Sequence, residues 1–201
     1  KTAPPRVIGV ETTEGEQMGA RHFVASGLNP QQTFLELLDA SLLPAAWRQA
    51  ASEFRYNLLA PLFGLYLNLD SPPRYAAAQR AEHLNDAFMV ILGLESPADF
   101  DAMVLAHEQG QIPPTVMWGS CPTAFDPSQA PTGQHTAFMW EKVPYHLHGD
   151  PATWDVYGKT HGEQMLDTWS RYAPGLQGQV LDHFVRTAAD IPRQLPNMHE
   201  G

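Results

Sequence analysis

Apolar residues recur at every second position in some stretches of this chain and at every third or fourth in others, and the two rhythms divide it into strands and helices. Residues 6–11 form a short β-rich run. Residues 17–26 alternate apolar and polar side chains, with Ala20, Phe23 and Val24 as packing positions, and Gly15 lies in the polar turn between the two runs. The pair predicts a hairpin. Asn29-Pro30 breaks the second strand, and the spacing of Phe34, Leu37 and Leu38 predicts a short helix over 31–38. A second helix is predicted over 44–54, with Pro44 where a first-turn proline is tolerated. Residues 58–69 read as one long strand or two short ones, stopped by Asp70-Ser71-Pro72-Pro73. The alanine-rich segment 75–84 predicts a helix, and 88–94 a buried strand.

Ser96-Pro97-Ala98-Asp99 is a helix start, with a hydroxyl cap, a proline at the first position and an acid in the first turn. Phe100, Val104 and His107 follow on one face, and Gly110 is a natural stop. Residues 116–121 and 135–143 are strands flanking a long loop. Asp150-Pro151 begins a long helix that runs to about Tyr172 before Pro174. Trp154, Tyr157, His161, Met165 and Trp169 fall at steps of three and four on it, an amphipathic face. Residues 181–187 predict a last strand and Asp190-Ile191-Pro192 a terminal turn. Together these elements predict an α+β fold, a mixed β-sheet covered by helices.

At 201 residues the chain is long enough for one large domain or two small ones, each with a core. An apolar content of 43% with 17% charged residues places it among globular proteins. A formal charge of −10 with only three lysines excludes a nucleic-acid partner and leaves no basic run for an anionic membrane. Cys121 is the one cysteine, so no intrachain disulfide forms, which fits a reducing, cytoplasmic setting. The apolar stretch 58–69 is too short to span a bilayer and is interrupted by Pro61, Gly64 and Asn68. With neither an initiating methionine nor a signal region at its start, the sequence reads as a soluble piece of a longer protein.

The densest turn chemistry lies between Pro113 and His135. Pro122, Asp126, Pro127, Ser128, Ala130, Pro131, Gly133 and His135, followed by Pro144 and Tyr145, resemble a segment of the phytoene desaturase-like FAD-dependent oxidoreductases, which include carotenoid desaturases, isomerases and ketolases. Ile8-Gly9-Val10, Gly15 and 20–25 resemble the hairpin by which such enzymes return to their FAD-binding domain. The resemblance implies a partial FAD-binding domain over 1–43, holding the hairpin and short helix, and a substrate domain over 44–201. It further implies redox chemistry at C–C bonds of a hydrophobic, polyene-like small molecule, and it allows peripheral membrane contact and a homo-oligomer. A mitochondrial pyridine nucleotide-disulfide oxidoreductase-like branch belongs to the same family. Absent from this sequence is the Gly-x-Gly-x-x-Gly strand–turn–helix that holds the FAD pyrophosphate. The segment is therefore expected to be an internal fragment, inactive and without FAD by itself.

Within this frame His135 and Tyr145 are the acid–base candidates, in a group with His146 and His148, and His135 ranks first because it lies in the motif. Hydrogen-bonded structural histidines are the plainer alternative. Met117, Trp118, Phe138 and Trp140 are the substrate-binding candidates, set against ordinary core packing. The Asp126-Pro127-Ser128 element is a capped turn or a contact to substrate, and Pro131 and Gly133 are conformational. No metal site is expected: His146-x-His148 lacks a third ligand, and Thr160-His161-Gly162-Glu163 lacks the second histidine of a helical zinc site. Gly119-Ser120-Cys121-Pro122 is no nucleophile elbow. Two other classes stay open: a non-catalytic protein- or lipid-interaction module, and an amine oxidase-like flavoprotein, whose pocket would favour acidic or aromatic-cage residues.

Overall fold

The run Leu-Phe-Gly-Leu-Tyr-Leu-Asn-Leu, residues Leu62–Leu69, is the middle strand of the fold, β3. Phe63, Leu65, Leu67 and Leu69 are buried, whereas Tyr66 is half-buried and Asn68 exposed, so one face of the strand meets a core and the other does not. The computed structural model describes residues 5–56, 61–114, 116–198 and 200, so residues 58–60 of the predicted 58–69 strand lie outside the described residues. The described residues fall into two compact units divided after Tyr56, with Asn197 and Met198 returning to the first.

In the first unit β1 (Gly9–Glu11) and β2 (Gln17–Gly19) pair antiparallel as the expected hairpin. The second strand is shorter than its alternation predicts, and Phe23 and Val24 are exposed instead of packed. A ribbon of two strands has no broad face on which to bury them. The predicted helix over 31–38 is confined to a π-type turn, Gln32–Glu36, entered through Asn29, whose Oδ1 accepts the Gln32 amide at 2.8 Å. Leu37 is exposed beyond it. Helix α1 (Ala45–Glu53) starts after Pro44 as expected, and Trp47 meets Phe34 edge-on at 5.8 Å between ring centroids.

In the second unit β3 is joined by β4 (Val90–Leu92), β5 (Met117–Ser120), β6 (His135–Lys142) and β7 (Val180–Arg186). Among the described residues the sheet order is β4-β5-β6-β3-β7, and every neighbouring pair is antiparallel. Helices α2 (Pro97–Glu108), α3 (Thr153–Tyr172), α4 (Leu176–Gln179) and α5 (Asp190–Gln194) complete an α+β fold of the expected class. No described helix is long and apolar enough to cross a membrane.

Long helix α3 covers one face of the sheet. Trp154, His161, Met165 and Trp169 are buried, as their spacing predicts. Gly158 and Gly162 allow the close approach: a Cβ on Gly162 would lie 2.3 Å from Val185 Cγ1, and one on Gly158 2.6 Å from Thr187 Cγ2.

Two other expectations fail, the first for a tertiary reason. Residues 75–84 form two separate 3₁₀ turns, Ala76–Gln79 and Glu82–Asp86, instead of one helix. Asn85 Oδ1 accepts the Tyr75 amide at 3.1 Å and Tyr75 Oη accepts from Trp169 Nε1 at 3.3 Å, and these anchors override alanine's preference. The strand expected over 88–94 is only Val90–Leu92 and lies at the sheet edge, with Phe88 and Ile91 exposed. On α2 the buried residues are Met103 and His107, and Phe100 is exposed.

The start of α2 matches its signature. Asp99 Oδ2 accepts the Ser96 amide at 2.6 Å and the Glu95 amide at 2.8 Å, and these bonds hold its carboxyl below the usual aspartate value. A carboxyl lowered in the folded state contributes stability above its unfolded pKa and loses it as pH falls through the folded value. Protection of the Glu95 and Ser96 amides, measured as exchange relative to the intrinsic rate at each pH, should therefore fall on acidification below the ordinary aspartate range; unchanged protection would count against the cap.

Candidate functional site

Antiparallel pairing puts directly opposed residues on the same face of a sheet, and the register of β3 to β7 collects Trp118, Trp140, Phe138, Tyr66 and Phe184 on the face opposite α3. Ile91 opposes Trp118, Trp118 opposes Trp140, Trp140 opposes Gly64, and Gly64 opposes Arg186. In the adjacent row Ser120, Phe138, Tyr66 and Phe184 follow one another across the strands. Tyr66 and Phe184 stack with centroids 4.7 Å apart and planes 8° from parallel, and Phe138 lies 4.7 Å from Trp140. Trp140 Nε1 donates to Tyr66 Oη at 3.1 Å. A Cβ on Gly64 would lie 2.6 Å from Tyr66 Cε2, so the Tyr66 ring rests across the glycine and tiles the face between Trp140 and Phe184. The result is a broad aromatic surface with few hydrogen-bonding groups, suited to the flat side of an apolar ligand.

Trp118, Phe138 and Trp140 are brought together here. Met117 is parted from them: it opposes Glu141 on the helix-covered face and is fully buried. His135 and Tyr145 do not form one acid–base group. They flank opposite ends of β6, whose eight residues span roughly 25 Å at a strand's rise per residue. His135 Nδ1 is 3.1 Å from the hydroxyl of buried Thr123, which also accepts the Thr136 amide at 3.1 Å and ties the motif loop to the start of β6. Tyr145 packs against the core and meets His146 edge-on.

The motif loop itself is built from turns. Pro122 and Pro127 each open a 3₁₀ turn. Asp126 Oδ1 accepts from the Ser128 amide at 3.1 Å and from its hydroxyl at 2.6 Å, which holds the exposed Asp126 carboxyl below its usual value. Pro131 accepts the Gln134 amide at 2.9 Å, and between them Gly133 takes φ 79°, a conformation that favours glycine. Every hydrogen bond described for the Asp126 side chain lies within this turn.

A buried pair escaped the sequence reading. Glu141 and His161 are almost wholly excluded from solvent, and His161 Nε2 is 2.7 Å from Glu141 Oε2. Phe63, Trp154 and Tyr157 surround the imidazole with centroids 4.7, 5.9 and 6.0 Å away. Burial raises the Glu141 carboxyl above its ordinary value, against the opposing pull of His161. The signal was present: Glu141 continues the series Ala137 and Met139 in β6, a carboxylate at a core position in the alternation, and His161 occupies a core position of the α3 stripe. Lying under α3, the pair is separated from the aromatic face by the sheet itself. Tyr75, pushed up to about 12 by burial, stays a neutral donor at physiological pH.

Among the described residues no group of three or more histidines, cysteines or carboxylates is placed to hold a metal. Nor does the chain fit the nucleotide half of FAD. The glycine-rich turn required between a strand and a helix is absent from the sequence, and the described β1–β2 ribbon turns back on itself without a helix between its strands.

No family model matches the chain. Among curated proteins it is similar to Pyridine nucleotide-disulfide oxidoreductase domain-containing protein 2 of Rattus norvegicus, 30% identical over 197 residues. The protein of the same name from Mus musculus is 29% identical over 203 residues. Each alignment covers 94% of this chain and 33% of the relative, so the chain spans about one third of the length of the curated relatives it matches.

Proposed function

We propose that this chain is part of an FAD-dependent oxidoreductase and that the aromatic face of its sheet forms a wall of the pocket for a hydrophobic substrate. The carrying observation is the tiling of Trp118, Trp140, Phe138, Tyr66 and Phe184 on the face that α3 leaves aside. Similarity to the two rodent oxidoreductase domain-containing proteins along almost the whole chain supports the general class. The motif from Pro122 to His135 favours C–C chemistry of the phytoene desaturase type within it. On this reading the hairpin and short helix over 1–43 belong with the flavin-binding part, and 44–201 with the substrate part. The flavin, when bound, would accept the electrons. This chain's residues would supply the apolar surface that excludes water and orients the substrate. The motif loop, through Thr123, would fix where β6 begins.

The test uses the whole protein as its gene encodes it. It is expected to purify with flavin absorbance, or to gain it on reconstitution with FAD; a colourless protein that cannot be reconstituted overturns the cofactor assignment. Gly64→Ala should swing Tyr66 off the face and break its bond with Trp140. Loss of that ring contact should weaken binding of a simple apolar probe such as decanol roughly tenfold, while flavin is retained. Undiminished decanol binding would remove the wall from the proposal.

A further inference from the structure

Charge is unevenly distributed along the aromatic face. On β6 Lys142 follows Trp140 on the same side and opposes Leu62; on β7 Arg186 follows Phe184 on the same side and opposes Gly64. Both cations project from this face toward the same end of it. The single carboxylate at a described face position, Asp182, opposes Asn68 at the other end. It lies about 13 Å from Arg186 along the strand, at the usual rise per residue. In a chain with 12 lysines and arginines against 22 acids, strand positions on this face that carry two cations and no carboxylate at one end are an asymmetry that composition does not supply.

Lys142 Nζ lies 5.9 Å from the centroid of Trp118, which places the ammonium at the rim of the apolar surface. Burial there works against its charge. Among the described residues Arg186 makes no ion pair. Tyr66 Oη accepts from Trp140 and keeps its own proton to donate.

Resting on the reading of this face as a substrate wall, we propose that it takes an apolar molecule ending in a carboxylate, with the tail across Trp118, Trp140, Phe138 and Tyr66 and the carboxylate at Lys142. Arg186 adds attraction at the same end. A cationic amine of equal length is disfavoured by both groups, which separates this face from the acidic or caged pocket of an amine oxidase.

Decanoate, decanol and decylamine, titrated into the whole protein and followed by tryptophan fluorescence or calorimetry, distinguish the possibilities. Decanoate should bind about tenfold or more tightly than decylamine, the scale of one charge-assisted hydrogen bond. Lys142→Gln should remove most of decanoate's advantage over decanol, leaving the smaller share that Arg186 supplies, while decanol binding is unchanged, which also shows that the variant is folded. Equal affinity for decanoate and decylamine, or a preference for the amine, with decanol still bound, overturns this inference and leaves the wall standing. A carboxylate preference undiminished in Lys142→Gln overturns the assignment to Lys142. If none of the three binds, the wall falls and the inference falls with it.

Discussion

Replacing Glu141 with alanine should destabilise the protein by about 3–5 kcal/mol, the cost of removing one partner from a buried pair. Neither Glu141 nor His161 reaches solvent, so the imidazole left behind has no water to replace the carboxylate 2.7 Å from its Nε2. Glu141→Gln keeps the shape and one hydrogen bond to the imidazole and should cost much less. The two variants also differ from the natural protein in pH dependence. The Glu141 carboxyl is raised in the folded state by burial. A carboxyl raised in this way favours folding below its unfolded pKa, and the benefit fades as pH rises through the folded value. The advantage of the natural protein over Glu141→Gln should therefore shrink with rising pH above the ordinary glutamate range. Urea unfolding across a pH series measures both effects; a loss below about 1 kcal/mol for Glu141→Ala would mean that the pair is not sequestered.

Trp154→Ala is the second large expectation, again about 3–5 kcal/mol. The indole is fully buried, lies 5.5 Å from the Phe63 ring, and donates from Nε1 to the Pro144 carbonyl at 3.0 Å. Alanine leaves both a cavity and an orphaned carbonyl. Because Trp154 also packs edge-on to His161 at 5.9 Å, the Glu141→Ala/Trp154→Ala double variant should depart from the sum of the single losses by roughly 0.5–3 kcal/mol. Strict additivity would show that the indole and the pair do not form one cooperative unit.

What the sequence revealed depended on whether a segment's own rhythm or its neighbours set its conformation. The α3 stripe and the two strands flanking the motif loop were legible because their periodicity runs unbroken into a core. The Asp99 start was legible because a cap is a local device. Residues 75–84 were not, because Asn85 just beyond the segment and Trp169, distant in sequence, hold Tyr75 where a helix would not put it. For the site, Trp118, Phe138 and Trp140 could be named from composition, but their separation from Met117 needed the alternation to be followed residue by residue. Tyr66 and Phe184 belong to strands whose partners are set only by the cross-strand register. His135 and Tyr145 looked like neighbours in the text of the sequence and are held apart by the straight run of β6.

Strand β6 carries unlike cargo on its two sides, Phe138 and Trp140 facing one way and Met139 and Glu141 the other. Shifting its alignment by a single position would drive an indole beneath α3 and strand a carboxylate among the aromatics. The bond from Glu141 to His161 thus acts as an index pin for the whole layer, since only one alignment satisfies it. Length changes within this strand should consequently be tolerated far less than substitutions at any one of its positions.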